Sequence, residues 1–122
     1  MKILLVEDDT FFQKFYSQKL TEAGYEVFVG HDGEEGLTLA RTQHPSLILL
    51  DLIMPRKDGF EVLTQKATDP TIAAIPVIVF STLGQENDIK KAVMLGAKDY
   101  VNKTFFDFEN LLGKIQAIIP NQ

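Results

Sequence analysis

Glu7, Asp8 and Asp9 stand in a row directly after the apolar run Ile3–Val6, and Asp51 directly follows a second apolar run, Leu47–Leu50. Like charges held close in a low-dielectric setting repel one another, so acids massed where a buried segment stops need a reason. Asp9 has one, as the expected N-cap of the helix that follows. The other three carboxylates suit a hard divalent cation with oxygen ligands; Mg²⁺ typically takes one or two carboxylates and keeps waters and phosphate oxygens for its other positions. Ser81 and Thr82 close the run "VIVF", and Lys103 closes "DYVN". A cation, an ammonium and a hydroxyl converging on a carboxylate can neutralise phosphoryl oxygens during transfer. Asp51 would then be the nucleophile, because an aspartyl carboxylate can take a phosphoryl group as an acyl phosphate. The chain has no cysteine, and His31 and His44 lie away from these positions, so a zinc site is unsupported.

These groups are far apart in sequence and can act together only if the fold brings them to one rim. Short apolar, β-branched runs recur at Ile3–Val6, Glu26–Val29, Leu47–Leu50, Pro76–Phe80 and Asp99–Val101. Stretches with helical spacing lie between them. The first places Phe12, Phe15, Tyr16, Leu20 and Ala23 on one face and stops at Gly24, a residue suited to a left-handed cap. The others run over Glu34–Gln43, Gly59–Thr68, Glu86–Leu95 and Asp107–Ile119. Five strands, each followed by a helix and nearly all apolar, predict an α/β fold: a doubly wound, five-stranded parallel sheet covered on both faces. Such sheets bind ligands outside the carboxyl ends of their strands, where Glu7, Asp8, Asp51, Ser81 and Lys103 all fall.

The chain of 122 residues, 45% of them hydrophobic, suits one domain over residues 1–122 with a single core. The lack of cysteine favours a cytoplasmic setting. No stretch supplies the roughly 20 apolar residues that a membrane span needs, so no membrane insertion is expected. A formal net charge of -5 argues against coating nucleic acid directly.

From Lys2 to Ile119 the sequence resembles the receiver domains of two-component response regulators. The residues that carry the resemblance are Glu7 and Asp8, the "D..MP..DG" segment from Asp51 to Gly59, Ser81, and "GAKDYVNK" with Tyr100 and Lys103. It implies a (βα)5 flavodoxin-like three-layer sandwich of the single-domain, chemotaxis-regulator-like kind. It further implies phosphorylation of Asp51 by a phosphohistidine on a sensor kinase or phosphotransfer protein. Mg²⁺ would be held by Asp8, Asp51, the backbone carbonyl of Ile53 and, through water, Glu7. Ser81 and Lys103 would contact the phosphoryl group, and Tyr100 would be the aromatic switch that follows the Ser81 hydroxyl. The expected output is a downstream protein target met at the helix 4, strand 5 and helix 5 face, with a phosphorylation-dependent dimer as a further form. On this reading the chain is a stoichiometric phosphoacceptor and not an enzyme.

Two positions depart from the family pattern. Thr104 follows Lys103 where the family usually has proline; a cis bond before a non-proline residue costs about 2.5–4 kcal/mol, so a trans bond is expected. Glu7 replaces the commoner aspartate. The rival readings are a pseudo-receiver that binds partners without phosphorylation and a phosphatase with an aspartyl nucleophile. The complete set of acids, hydroxyl and lysine argues against the first. Against the second, Leu52 and Ile53 beside Asp51 offer no acid to activate water. Ile53 and Leu83, two residues beyond Asp51 and Ser81, are apolar and predict slow hydrolysis of an acyl phosphate. Phe105, Phe106 and Phe108 are expected to pack against the core.

Overall fold

A computed structural model describes residues 1–54, 57–82, 85–103 and 108–119. Its elements alternate in chain order: β1 (Lys2–Val6), α1 (Thr10–Glu22), β2 (Glu26–Gly30), α2 (Gly33–Gln43), β3 (Leu47–Leu50), α3 (Gly59–Thr68), β4 (Val77–Ser81), α4 (Glu86–Met94), β5 (Asp99–Asn102) and α5 (Phe108–Ile118). The strands form one parallel sheet in the order β2-β1-β3-β4-β5. The chain winds one way from β1 to β2 and the other way from β3 onward, so the order reverses between β1 and β3, the crevice where open α/β sheets bind ligands. The α/β, flavodoxin-like three-layer architecture expected from the sequence is the one observed.

Strand side chains alternate between two cores, as the two-residue period requires. Leu4, Val6, Ile48, Leu50, Val77 and Val79 meet Leu37 of α2, Val62 and Leu63 of α3 and Ala92 of α4. Ile3, Leu5, Leu47, Leu49, Ile78 and Phe80 meet Tyr16 and Leu20 of α1 and Leu111 and Ile115 of α5. β1, β3 and β4 are apolar almost throughout because both of their faces are covered.

Helix ends follow local chemistry. Asp9 accepts from the backbone N–H of Phe11 at 2.8 Å and Phe12 at 3.2 Å, the expected cap of α1. At the other end Gly24 adopts φ 101°, and Tyr25 N–H donates to the Leu20 carbonyl at 3.1 Å, closing the helix in the left-handed manner. His44 ends α2 at φ 48°, and both His44 and His31 are exposed.

The single apolar face expected on α1 needs correction. Phe15 is 37% exposed and stacks on the 67% exposed Phe11, while the polar Gln13 is buried. At about 100° per residue, aromatics at four positions within two turns span a wider arc than the sheet covers. The arc left facing the sheet holds Gln13, Tyr16 and Leu20. Phe108 packs against the core as expected. Phe105, Phe106, Leu83 and the Lys103–Thr104 peptide bond lie outside the described residues.

Candidate functional site

The acids reach one place because the sheet ladder runs one residue past the strands. Val6 and Leu50 are in register. Immediately beyond them, Glu7 N–H donates to the Gly30 carbonyl at 2.9 Å and Asp51 N–H to the Val6 carbonyl at 3.0 Å, so both acids leave the sheet at the same level. Glu7 and Asp51 are buried at 0% and 4% exposure, while Asp8 faces solvent. Among the described residues, Glu7, Asp8 and Asp51 form the acidic group that could hold a metal, each offering an oxygen within 4.8 Å of the other two.

The backbone around them is tied down. Gln13 Nε2 donates to the Glu7 carbonyl at 2.6 Å, which anchors the β1–α1 turn to the helix after it. Asp9 N–H donates to Glu7 Oε2 at 3.2 Å. Below Asp51, Gly59 N–H donates to the Leu52 carbonyl at 3.0 Å. A Cβ at Gly59 would stand 2.5 Å from the Asp51 carbonyl oxygen and 2.7 Å from Leu52 Cα, so only glycine lets α3 start this close under the acid. Ile53 N–H approaches Asp51 Oδ1 at 3.4 Å, and the Ile53 side chain is 53% exposed beside it.

The neighbouring strands bring the other polar groups. Ser81 is fully buried at the end of β4, in register with Asn102, and its carbonyl accepts from Lys103 N–H at 2.9 Å. Thr82 is exposed, so the hydroxyl pair seen in the sequence divides, with Ser81 alone buried at the strand end. Lys103 extends its ammonium back across the sheet to Glu7 and, at 3.4 Å, to Asp51 Oδ2. Tyr100 is half-buried on β5, registered with Val79.

Charge in this enclosed space is balanced unevenly. Burial pushes the Glu7 carboxyl up to about 7, with the Asp51 charge adding to the effect and the hydrogen bond from Lys103 opposing it. The Tyr100 phenol is raised mainly by burial, then by the charges of Asp88 and Asp51, while the Ser81 hydroxyl pulls the other way. The buried Tyr100 hydroxyl has no hydrogen-bond partner among the described residues.

The structure therefore draws Glu7, Asp8, Asp51 and Lys103 together, sets Ser81 and Tyr100 on the adjoining strands, and leaves His31 and His44 outside. Sequence reasoning missed Gln13 and the ring environment of Lys103. Gln13 could have been found from its spacing, three and seven residues ahead of Tyr16 and Leu20 on the buried arc.

A doubly wound sheet with an acidic group at its switch point and a buried lysine beside it defines a class as well as a fold. The chain belongs to the response regulator receiver domain family, whose model matches residues 3–116. It is a receiver domain of two-component signalling. It is 38% identical over 97% of its length to the DNA-binding dual master transcriptional regulator RpaA of Synechocystis sp., of which it covers 48%. The chain thus spans about half the length of the first curated relatives it matches. It is 35% identical to protein PilH of Pseudomonas aeruginosa, with 97% of each chain covered. The receiver domain of the sensor histidine kinase PA1611 from the same species, with a magnesium ion coordinated in its active site cleft, superposes at a TM-score of 0.88 and 27% identity, covering 97% of this chain and 96% of the other. Among the described residues no helix is long and apolar enough to cross a membrane.

Proposed function

We propose that this receiver domain is a phosphoacceptor switch in which Asp51 takes a phosphoryl group from a phosphohistidine of a sensor kinase or phosphotransfer protein. The observation that carries the proposal is that the buried Asp51 belongs to the acidic group and also has the Lys103 ammonium 3.4 Å from its Oδ2. In the transfer an Asp51 carboxylate oxygen attacks phosphorus, the phosphorus–nitrogen bond to the donor imidazole breaks, and the imidazole leaves with its bonding pair and takes a proton from water. Lys103 faces the charge that develops on the phosphoryl oxygens.

The donor set fits Mg²⁺. Octahedral oxygens at 2.0–2.1 Å from the metal lie up to about 4.2 Å apart, so Asp8 and Asp51 oxygens already within 4.8 Å of each other need only small adjustments, and Glu7 is near enough to act through water. Asp8, Asp51 and the Ile53 carbonyl would hold the ion, with Glu7 acting through water. The ion supplies charge neutralisation at the phosphoryl oxygens. Glu7 is already engaged by Lys103 and by Asp9 N–H, which suits an outer role better than direct ligation.

Ser81 would hydrogen-bond the acquired phosphoryl group and so free the space that Tyr100 enters, carrying the signal to the face formed by α4, β5 and α5. Val93 and Met94, 53% and 85% exposed at the end of α4, are apolar surface on one of these elements that a protein target or a second copy of the chain could cover. The domain acts stoichiometrically, in the cytoplasm, and without direct contact to nucleic acid. The test is intact mass after incubation with acetyl phosphate and Mg²⁺. One added phosphoryl group supports the switch. No addition, with continued binding of a partner, supports a pseudo-receiver, and steady turnover of unrelated phosphoesters supports a phosphatase.

A further inference from the structure

Lys103 is enclosed by more than its acids. Its side chain is 4% exposed, and its Nζ lies 4.5 Å from the centroid of the Phe12 ring and 4.9 Å from that of Phe80. Both distances are inside the roughly 6 Å range over which a ring face attracts a cation. The rings are themselves held. Phe80 is fully buried in β4, and Tyr16 meets it edge-on with centroids 4.9 Å apart. Tyr16 also stacks on Phe12 at 5.9 Å and 15°, one helical turn along α1.

A lysine ammonium is a compact charge on a flexible four-carbon stem, and carboxylates alone would let it follow whichever acid attracts it more. Here the acids pull unequally, since Glu7 is met more closely than Asp51. The attraction of Asp51 must also change when its carboxylate becomes an acyl phosphate. The ring faces do not change with that chemistry.

We propose that Phe12 and Phe80 are positioning residues: an aromatic clamp, built from α1 and β4, that holds the Lys103 ammonium between Glu7 and Asp51 through phosphoryl acceptance. The proposal deepens the reading of Asp51 as the acceptor and rests on it for its kinetic arm. Phe80 is fixed by the core, whereas Phe12 is partly buried at the site's edge and is the position to vary.

Phe12→Leu keeps apolar bulk and removes the π face; Phe12→Tyr restores the face. In the full chain without donor, ring currents should shift the Lys103 Cε protons upfield by NMR, with the shift reduced in Phe12→Leu and regained in Phe12→Tyr. With phosphoramidate and Mg²⁺, the rate of phosphoryl uptake followed by mass should fall about three- to tenfold in Phe12→Leu, the span of an ordinary cation–π contact, and recover in Phe12→Tyr. Mg²⁺ affinity should hold in both, because the carboxylates are untouched. Lys103 proton shifts that are unchanged in Phe12→Leu, or a Phe12→Tyr rate as slow as that of Phe12→Leu, would overturn the clamp. Phe12→Met repeats both measurements if Phe12→Leu does not fold. No uptake by the wild type would instead overturn the acceptor reading, and the proton shifts would still decide the clamp.

Discussion

The Lys103 ammonium meets Glu7 more closely than it meets Asp51, from whose Oδ2 it stands 3.4 Å away. The lysine therefore first offsets the charge of the most deeply buried acid in the site. The sequence suggests the reverse, since Lys103 and Asp51 carry the expected chemistry while Glu7 reads as the outlying ligand. The ladder carries both acids inward, since Glu7 and Asp51 each continue it one residue past a strand, and the longer side chain of Glu7 is the one that meets the ammonium most closely.

Stability without metal should fall as pH rises from about 4.5 to about 7, the window between the ordinary value of Glu7 and its folded-state value. The sign follows from burial: across that window the folded state keeps a proton that the unfolded chain has lost, so raising the pH favours unfolding. The loss attributable to Glu7 is a few kcal/mol at most. Urea unfolding in chelator should show the decline, and Glu7→Gln should flatten it. A decline of the same size in Glu7→Gln would assign it to other groups.

Mg²⁺ should raise the melting temperature, because an ion that binds only the native state stabilises it as RT ln(1 + [L]/Kd). Asp8 is exposed at the mouth of the acidic group, so Asp8→Asn removes a ligand without opening the core. It should raise the metal-free melting temperature, by relieving repulsion, and blunt the Mg²⁺ increment. Thermal melts with and without millimolar Mg²⁺ check both, and an undiminished increment in Asp8→Asn would rule out the shared site.

The five strands and five helices were legible because apolar runs and helical spacing report burial directly. The acids were legible because charge at the end of a buried strand is costly without a use. Ser81 and Lys103 could be placed at strand ends and Tyr100 within the fifth strand, but only the family resemblance related them to one another, since register between strands is absent from a single sequence. The rings around Lys103 escaped notice for the same reason: Phe12 and Phe80 read as ordinary core aromatics until α1 and β4 are brought together.

Ser81→Ala should still accept a phosphoryl group yet leave Tyr100 where it is. Ser81 is buried at the end of β4, the strand that pairs with the β5 strand carrying Tyr100, and among the described residues the buried Tyr100 hydroxyl has no hydrogen-bond partner holding it in place. Phosphorylation should move the Tyr100 resonances strongly in the wild type and weakly in Ser81→Ala. Equal movements would uncouple the hydroxyl from the tyrosine.

The Ile53 side chain is apolar and exposed next to Asp51, and offers water no hydrogen bond there. Ile53→Asn should admit and orient water and speed decay of the phosphorylated form by several-fold, up to about the tenfold that 1.4 kcal/mol of barrier represents. Phosphate release in excess Mg²⁺ measures it. An unchanged or slower decay would remove the side chain from the kinetics.

The account stands or falls on which residue carries the phosphoryl group. An acyl phosphate is reduced by borohydride to an alcohol, so the phosphorylated chain, treated with borohydride and digested, should yield homoserine at position 51 and at no other acid. Asp51→Asn should yield none while folding normally. Homoserine at position 8, or a stable phosphoryl group on His31 or His44 with Asp51 unmodified, would contradict it.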